Sequence, residues 1–158
     1  MESVLKVASY IAQRYQMEFG ERISEMKLHK LLYFTQRESI IQFEVPMFAE
    51  TFLAWKYGPV IPSIRVAYAN NLLVDIPNKE WQEKYADMMS FIFNQYASRD
   101  AWSLSYLTHN EISWKRARYG LSSDQNGNTE LALDDIKEDA LRMKWRRYVL
   151  DTYNSKEQ

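Results

Sequence analysis

The two histidines, His29 and His109, are the side chains best suited to bind a metal or transfer a proton. A helical zinc pair of the usual kind needs a second histidine one turn away, and no histidine lies four residues from either of them. His29 is therefore expected to be a surface or hydrogen-bonded helix residue. His109 lies inside Thr108-His109-Asn110-Glu111, which has the form of a helix capping box, so its expected duty is structural.

Other catalytic and cofactor-binding patterns are missing from the sequence. The chain has no cysteine, which excludes disulfides, thiolate metal sites and a cysteine nucleophile. Its glycines fit no phosphate-binding loop, and no serine stands in a nucleophile elbow. The acidic cluster near the last helix lacks the alternation and central glycine of a calcium loop; its members are Asp134, Asp135, Glu138 and Asp139. The sequence thus predicts a protein that is not an enzyme, with no catalytic residue, no cofactor and no metal.

The length and the net charge of the chain further limit the classes of function that are possible. A chain of 158 residues fits one domain, and a net charge of −1, from 20 basic and 21 acidic residues, argues against nucleic acid as the main partner. Aromatic residues reach 15%, which suits both a core and a protein interface. No signal peptide and no apolar stretch long enough for a membrane span are recognisable, so a cytoplasmic location without membrane contact is expected.

Hydrophobic periodicity and the shortage of Gly and Pro predict a mainly α, single compact multi-helix domain, with a short extended or β segment around residues 48–60. Residues 1–153 form the predicted domain, and residues 154–158 a frayed polar tail. The β segment needs a partner strand, and residues 43–48 or 72–76 are the candidates. Helices are predicted over residues 3–16, from a cap at Ser24 to about residue 42, and from Pro62 to Asn70. Further helices are predicted over residues 79–97, capped by Asn78, over 103–107, over 112–118, and from a cap at Asp134 onward.

For two of the helices, the sequence pattern also predicts which side faces the core. In the second, the apolar residues should face inward, with Lys27, Lys30 and Arg37 largely elsewhere. The last helix should have a broad inward face made of Ile136, Ala140, Leu141, Met143, Trp145, Tyr148 and Val149. Its basic residues from Arg142 to Arg147 fit a solvated face, or alternatively a surface for an acidic partner or nucleic acid.

Two segments resemble the Panacea domain found in antitoxins of bacterial toxin–antitoxin pairs and among phage-associated proteins. The first segment is Lys27-Leu28-His29-Lys30-Leu31-Leu32-Tyr33-Phe34-Thr35-Gln36 with Pro46-Met47-Phe48 and Ala54-Trp55-Lys56-Tyr57-Gly58-Pro59-Val60 after it. The second is Leu104-Ser105-Tyr106-Leu107-Thr108-His109-Asn110-Glu111 with Trp114-Lys115-Arg116-Ala117-Arg118. The resemblance covers roughly residues 5–150, and its specific part is the string from Ala54 to Val60. Ile112-Ser113 stands where the family often has a proline.

The resemblance implies an antitoxin that neutralises a cognate protein toxin by direct binding. Two alternatives stay open: an adaptor that delivers a toxin to a cellular protease, and a nucleic-acid-binding regulator that uses the last helix. The predicted toxin-binding residues are Lys56, Tyr57, Gly58, Pro59, Trp114, Lys115 and Arg118, because they combine aromatic anchors, cations and a rigid turn. The alternative for the 54–60 string is that Trp55 seals the core while Gly58-Pro59 turns the chain.

Overall fold

The computed structural model describes residues 1–157 and confirms the mainly α prediction. A small antiparallel sheet is the only other regular structure within that range. The helices are α1 (Val4–Phe19), α2 (Glu25–Phe43), α3 (Pro62–Ala69), α4 (Lys79–Lys84), α5 (Ala86–Ile92), α6 (Ala101–His109), α7 (Ile112–Ala117) and α8 (Leu133–Lys156), and a π-helical turn, Phe93–Ala97, continues α5. The strands are β1 (Leu53–Trp55) and β2 (Gly58–Val60).

Helix α2 lies at the centre of the domain and contacts α1, α3, α5, α6, α8 and β2. Its start is as predicted, because the Ser24 side chain accepts a hydrogen bond from the Lys27 backbone N–H at 3.2 Å. Leu28, Leu31 and Leu32 are fully buried in the core. With neighbours on every side, the helix has no solvated face along most of its length.

Lys27, Lys30 and Arg37, which were expected to lie largely off the inward face of α2, are also buried, so the prediction of one inward face was wrong. The Lys27 ammonium donates to the Tyr15 hydroxyl at 3.1 Å and to the Ala97 carbonyl at 3.0 Å. A buried cation is tolerated only when such acceptors replace water. The amphipathic pattern failed here because α2 is enclosed by other elements instead of lying on the surface.

A buried polar network joins α2 to the second half of the chain. Arg37 donates to a Glu111 carboxylate oxygen at 2.7 Å and to the Tyr96 hydroxyl at 2.9 Å. The Tyr33 hydroxyl lies 2.7 Å from an Asp139 carboxylate oxygen and 3.1 Å from one of Glu111. Burial raises the pKa of the Glu111 carboxyl, although the Arg37 charge opposes that shift. Breaking one member would leave its partners buried without compensation.

The predicted capping box over residues 108–111 is not formed. Thr108 belongs to α6, where its hydroxyl donates to the Ser105 carbonyl at 2.7 Å, and Glu111 turns to Arg37 instead. Helix α7 is capped from a distant element: Asp139 on α8 accepts from the backbone N–H of Ile112 at 2.6 Å and of Ser113 at 3.2 Å. Local sequence cannot reveal a cap supplied from another helix.

The last helix does not begin at an Asp134 cap, which corrects a second prediction. Helix α8 starts at Leu133 with Ala132 in the N-cap position, and Asp134 is exposed within its first turn. The helix continues to Lys156, three residues into the segment expected to fray, while Gln158 lies outside the described residues. The 153/154 domain limit and the fraying of the tail stay predictions.

The predicted helix over 79–97 is broken at Tyr85 into α4 and α5, although Asn78 caps it as expected. The break lets two large rings pack against different helices. Trp81 packs against Tyr10 of α1, with ring centroids 5.3 Å apart, and Tyr85 against Phe43 of α2, at 4.8 Å. Both rings are buried, and they also contact each other, with centroids 5.1 Å apart.

Strand β1 pairs with β2, so the proposed pairing partners 43–48 and 72–76 were wrong. The register places Leu53 opposite Val60 and Trp55 opposite Gly58, with Lys56 and Tyr57 as the two-residue turn. A partner so near in sequence costs little loop-closure entropy. On its other edge β1 is held by residues 129–131, through hydrogen bonds between Ala54 and Thr129 and between Leu131 and Phe52.

No helix within residues 1–157 has the length and apolar character needed to cross a membrane.

Asp139→Ala is expected to destabilise the protein by about 3 kcal/mol, because it removes the cap of α7 and leaves buried partners unpaired. Asp134→Ala is the matched control and should change the unfolding free energy by less than about 0.5 kcal/mol. Urea unfolding followed by circular dichroism measures both. Equal effects of the two substitutions would show that α7 does not depend on Asp139.

Gly58→Ala is expected to destabilise the protein by roughly 2–4 kcal/mol. Gly58 has a φ of +113°, and a Cβ there would lie 2.6 Å from Lys30 Cε and from Thr108 Oγ1. Gly20→Ala is the matched control, since Gly20 also has positive φ but open space around it. Urea midpoints that shift equally would mean that only backbone strain matters at position 58.

Candidate functional site

The first four predicted toxin-binding residues, 56–59, lie at the hairpin turn, and only some of them are exposed. Tyr57 is exposed and Lys56 is half-buried at the turn, whereas Gly58 and Pro59 are buried. The turn is fixed from two sides: Ser105 donates to the Tyr57 carbonyl at 2.6 Å, and the Lys56 N–H donates to the Asn126 side chain at 3.2 Å. The string from Ala54 to Val60 therefore both fills the core and presents a rigid tip.

An aromatic surface surrounds this tip. The Tyr57 ring meets the Trp102 ring edge-on, with centroids 5.1 Å apart, and the Lys56 ammonium lies 4.9 Å from the Tyr57 ring centre. Trp102 and Tyr106, one turn apart on α6, are both exposed. Lys56, Tyr57, Trp102 and Tyr106 are called the hairpin surface below. Sequence reasoning missed the two α6 residues; the signal was two aromatics four residues apart in a short helix.

Of the other three predicted residues, which lie at 114–118, Trp114 and Arg118 hold the hairpin through contacts with β1. Trp114 donates its indole N–H to the Trp55 carbonyl at 2.9 Å and stacks on His109, with ring centroids 4.1 Å apart. Arg118 is only 6% exposed and donates to the Ala54 carbonyl at 2.9 Å. Its other nitrogen donates to the carbonyls of the 120–130 loop.

Six of the seven predicted residues thus belong to the hairpin or contact it, and Lys115 is exposed on α7. The exposed ones are Lys115 and Tyr57, with Lys56 half-buried beside them. Gly58, Pro59 and Arg118 are buried, and Trp114 is half-buried. Contact of any of them with a toxin stays a prediction. The structure itself gives Trp114 and Arg118 an internal role, because they bind the β1 carbonyls.

A cavity of about 430 Å³ lies behind the hairpin turn, between α2, α3 and the sheet. It is lined by Glu25, Met26, His29, Lys30, Trp55, Lys56, Tyr57, Val60, Arg65 and Asn126. His29 is buried, and its Nδ1 accepts a hydrogen bond from the Ile61 N–H at 3.3 Å. Burial, helped by the charges of Lys30 and Arg65, lowers the pKa of His29 to about 3, so its imidazole is neutral at pH 7.

Lys30 is the second unusual group of this cavity. It is 1% exposed, and its ammonium donates to the Pro59 carbonyl at 3.2 Å. Burial lowers the pKa of Lys30 to about 7, although Glu25 partly opposes the shift. Perturbed groups in a cleft are common at functional sites. In residues 1–157 no group of three or more His, Asp or Glu side chains is arranged to hold a metal.

The outer half of α8 presents a second apolar surface, which corrects the prediction of an inward face. Leu141, Trp145, Tyr148 and Val149 are 57%, 60%, 62% and 58% exposed, and their spacing places them on one side of the helix. They are called the α8 surface below. Of the predicted inward residues, Ile136 and Ala140 are buried and Met143 is half-buried.

An ion pair sets this orientation of α8. Arg147 binds both carboxylate oxygens of Glu38 on α2, each at 2.9 Å, and Glu38 is almost fully buried. Arg147 also lies over the Phe91 ring, 4.7 Å from its centre. Because Arg147 must face α2, residues on the opposite side of the helix, including Trp145, must face water.

Comparison with known proteins places the chain in a family. The profile described as "Antitoxin SocA-like, Panacea domain" matches residues 28–115, which is more than half of the chain. The matched region contains most of α2, the hairpin, α6 and most of α7, and it leaves out α8. No curated protein and no solved structure matches the chain. The match covers both strands of the hairpin and most of the residues that line its cavity, and on this evidence the chain belongs to the SocA-like antitoxins with a Panacea domain.

Proposed function

We propose that this protein is a cytoplasmic antitoxin that neutralises a cognate protein toxin by direct binding. Membership of the family supports the antitoxin role. The observation that carries the binding mechanism is the α8 surface, a stripe of large apolar side chains in water on the last helix.

Such a stripe is unusual for a protein that acts alone. Its four residues Leu141, Trp145, Tyr148 and Val149 are each more than half exposed, and so are Leu150 and Tyr153 elsewhere on the same helix. Contiguous exposed apolar patches mark interaction sites, and Trp and Tyr are the residues that most often dominate binding energy. A helix that presents an apolar side suits recognition by a groove.

The charges beside the stripe indicate the chemistry of that groove. Lys144 and Arg146 are exposed within the same turns as Trp145 and Tyr148, and Arg142 is exposed one turn earlier. None of these three cations has a carboxylate partner within salt-bridge distance among residues 1–157. The proposed toxin therefore offers an apolar groove with an acidic rim, which would speed association and fix its direction.

The hairpin surface is the proposed second contact. Tyr57 and Trp102 form an exposed aromatic pair, with the Lys56 ammonium beside it, and Lys115 is exposed on α7. Gly58, Pro59, Trp114 and Arg118 contribute to toxin binding by holding the hairpin in place. This surface lies within the matched family region, whereas α8 lies outside it, so α8 is the element proposed to select the individual toxin.

Replacing Trp145 and Tyr148 together by serine is expected to weaken toxin binding by at least about 100-fold, because each is a candidate hot-spot side chain. The toxin is the product of the adjacent gene, and its dissociation constant is measured by calorimetry with the purified chain. Met17→Ser, at an exposed apolar residue on α1, is the matched control and should leave the constant unchanged. Both variants should keep the wild-type melting temperature.

An unchanged dissociation constant in the double variant would contradict the proposal. Sedimentation of the toxin-free protein provides a second test. If the double variant disrupts a homodimer but still binds the toxin as tightly as the wild type, the α8 surface is a dimer interface and the proposal is wrong. Growth rescue is measured in parallel in cells that express the toxin. Rescue that needs a cellular protease, with loss of the toxin from the cell, would assign the adaptor mechanism instead of occlusion.

The hairpin surface is tested by Tyr57→Ser with Trp102→Ser in the same assay. We expect a loss of about 10-fold or more, since the two rings also contact each other. The Met17→Ser control applies here as well. Retained affinity with an unchanged melting temperature would leave α8 as the sole toxin contact and remove the hairpin from the proposal.

A further inference from the structure

We propose that the cavity behind the hairpin turn binds a small anionic molecule, a carboxylate or phosphate carried on an apolar body. The proposal rests on the cavity itself and does not depend on toxin binding. Its volume of about 430 Å³ falls in the range of small-molecule sites, roughly 300–1,000 Å³.

Three cations from three different elements line this cavity. Lys30 comes from α2, Lys56 from the hairpin turn and Arg65 from α3. Glu25 is the one carboxylate among the lining residues, so protonated Lys30 leaves the lining with an excess of two positive charges, three minus one. Convergent cations within a partly dry cleft favour an anion with one or two charges.

Lys30 is the central group of the proposed site. An ammonium has three donors, and in the described residues Lys30 uses one of them, toward the Pro59 carbonyl. The titratable groups that interact electrostatically with the Lys30 ammonium are Glu25 on the same helix, the neighbouring His29, and His109 on α6. No carboxylate within residues 1–157 lies within salt-bridge distance of its nitrogen. A bound anion would supply the acceptor that the fold does not.

Two further buried donors in the lining lack a hydrogen bond in the part of the chain described. They are His29 Nε2 and Trp55 Nε1. Because His29 Nδ1 accepts from the Ile61 N–H, the proton of the neutral ring is on Nε2, and the nearest charged atom is a Glu25 oxygen at 3.5 Å. Buried donors are almost always paired in native proteins, so unpaired donors on two residues that line the cavity support the assignment of a ligand site, although both atoms have almost no accessible surface and would need a small side-chain shift to meet a ligand.

The rest of the lining fits an apolar or planar body. Met26, Val60 and the rings of Trp55 and Tyr57 supply apolar surface, and the Arg65 guanidinium lies 5.0 Å from the Trp55 ring centre. Arg65 also reaches Glu25 at 3.7 Å and is more than half exposed. It is therefore free to turn toward an entering anion while Glu25 keeps its contact with His29.

The proposal is tested with phenyl phosphate and benzoate as probes and the full chain as the receptor. Titration followed by ¹H–¹⁵N NMR should show saturable shifts at Lys30, Arg65 and residues 55–60. Benzyl alcohol, which has the same ring and no charge, should bind at least 10-fold more weakly, and benzylamine should not bind. Equal affinity for the neutral alcohol would overturn the anion assignment, as would the absence of saturable shifts with both anions.

Two variants locate the anion within the cavity. Lys30→Met keeps the length of a buried side chain and removes its charge, and Arg65→Gln removes the charge of a side chain that is more than half exposed. Each should weaken phenyl phosphate binding at least 10-fold, whereas Lys79→Gln, at an exposed lysine elsewhere, should not. If Lys30→Met does not fold, Arg65→Gln with an unchanged melting temperature decides the question alone. Binding that survives both substitutions would place the anion at another site and overturn the proposal.

Discussion

The enclosure of α2 is the constraint on which the rest of the structure depends. A central helix that carries Lys30, Arg37 and Glu38 can be buried only if each charge meets a partner inside the protein. These partners lie far away in sequence, at the hairpin, at Glu111 before α7, and at Arg147 on α8. The polar groups of one helix thus determine where three other parts of the chain must be.

Each of these partnerships also shapes a surface. The Lys30 side chain lies so close to Gly58 that the hairpin can approach α2 only without a side chain at that position. The Glu38–Arg147 pair turns the Arg147 side of α8 toward α2 and its aromatic side outward. Both surfaces with a proposed binding role therefore follow from charges buried in the core, even though the surfaces themselves are largely apolar.

Local signals in the sequence predicted local features well. The Ser24 cap, the Pro62 start of α3 and the Asn78 cap are all present, because each depends on residues a few positions apart. The 54–60 string correctly indicated extended structure, although not its pairing into a hairpin, and together with the second segment it indicated the family. These signals act through backbone hydrogen bonds and steric limits that hold in almost any fold.

Features that depend on tertiary contacts could not be predicted in this way. Asp139 caps α7 from another helix, and no spacing rule links positions 139 and 112. The outward face of α8 was misjudged because periodicity shows that a helix has an apolar side, and the Glu38 contact decides where that side points. Trp102 and Tyr106 escaped notice for a similar reason, since only the folded hairpin brings Tyr57 to them.

The Glu38–Arg147 pair has one more consequence, for local unfolding. Beyond Arg147 every described residue of α8 is exposed, so unwinding from Lys156 back to Tyr148 would break few tertiary contacts and should have a smaller free-energy cost than unwinding the buried turns. Unwinding one residue further would strand the Glu38 carboxylate in the interior without its cation. The ion pair is therefore expected to set a limit to fraying: the turns of α8 after Arg147 should open at a lower free-energy cost than the turns before it.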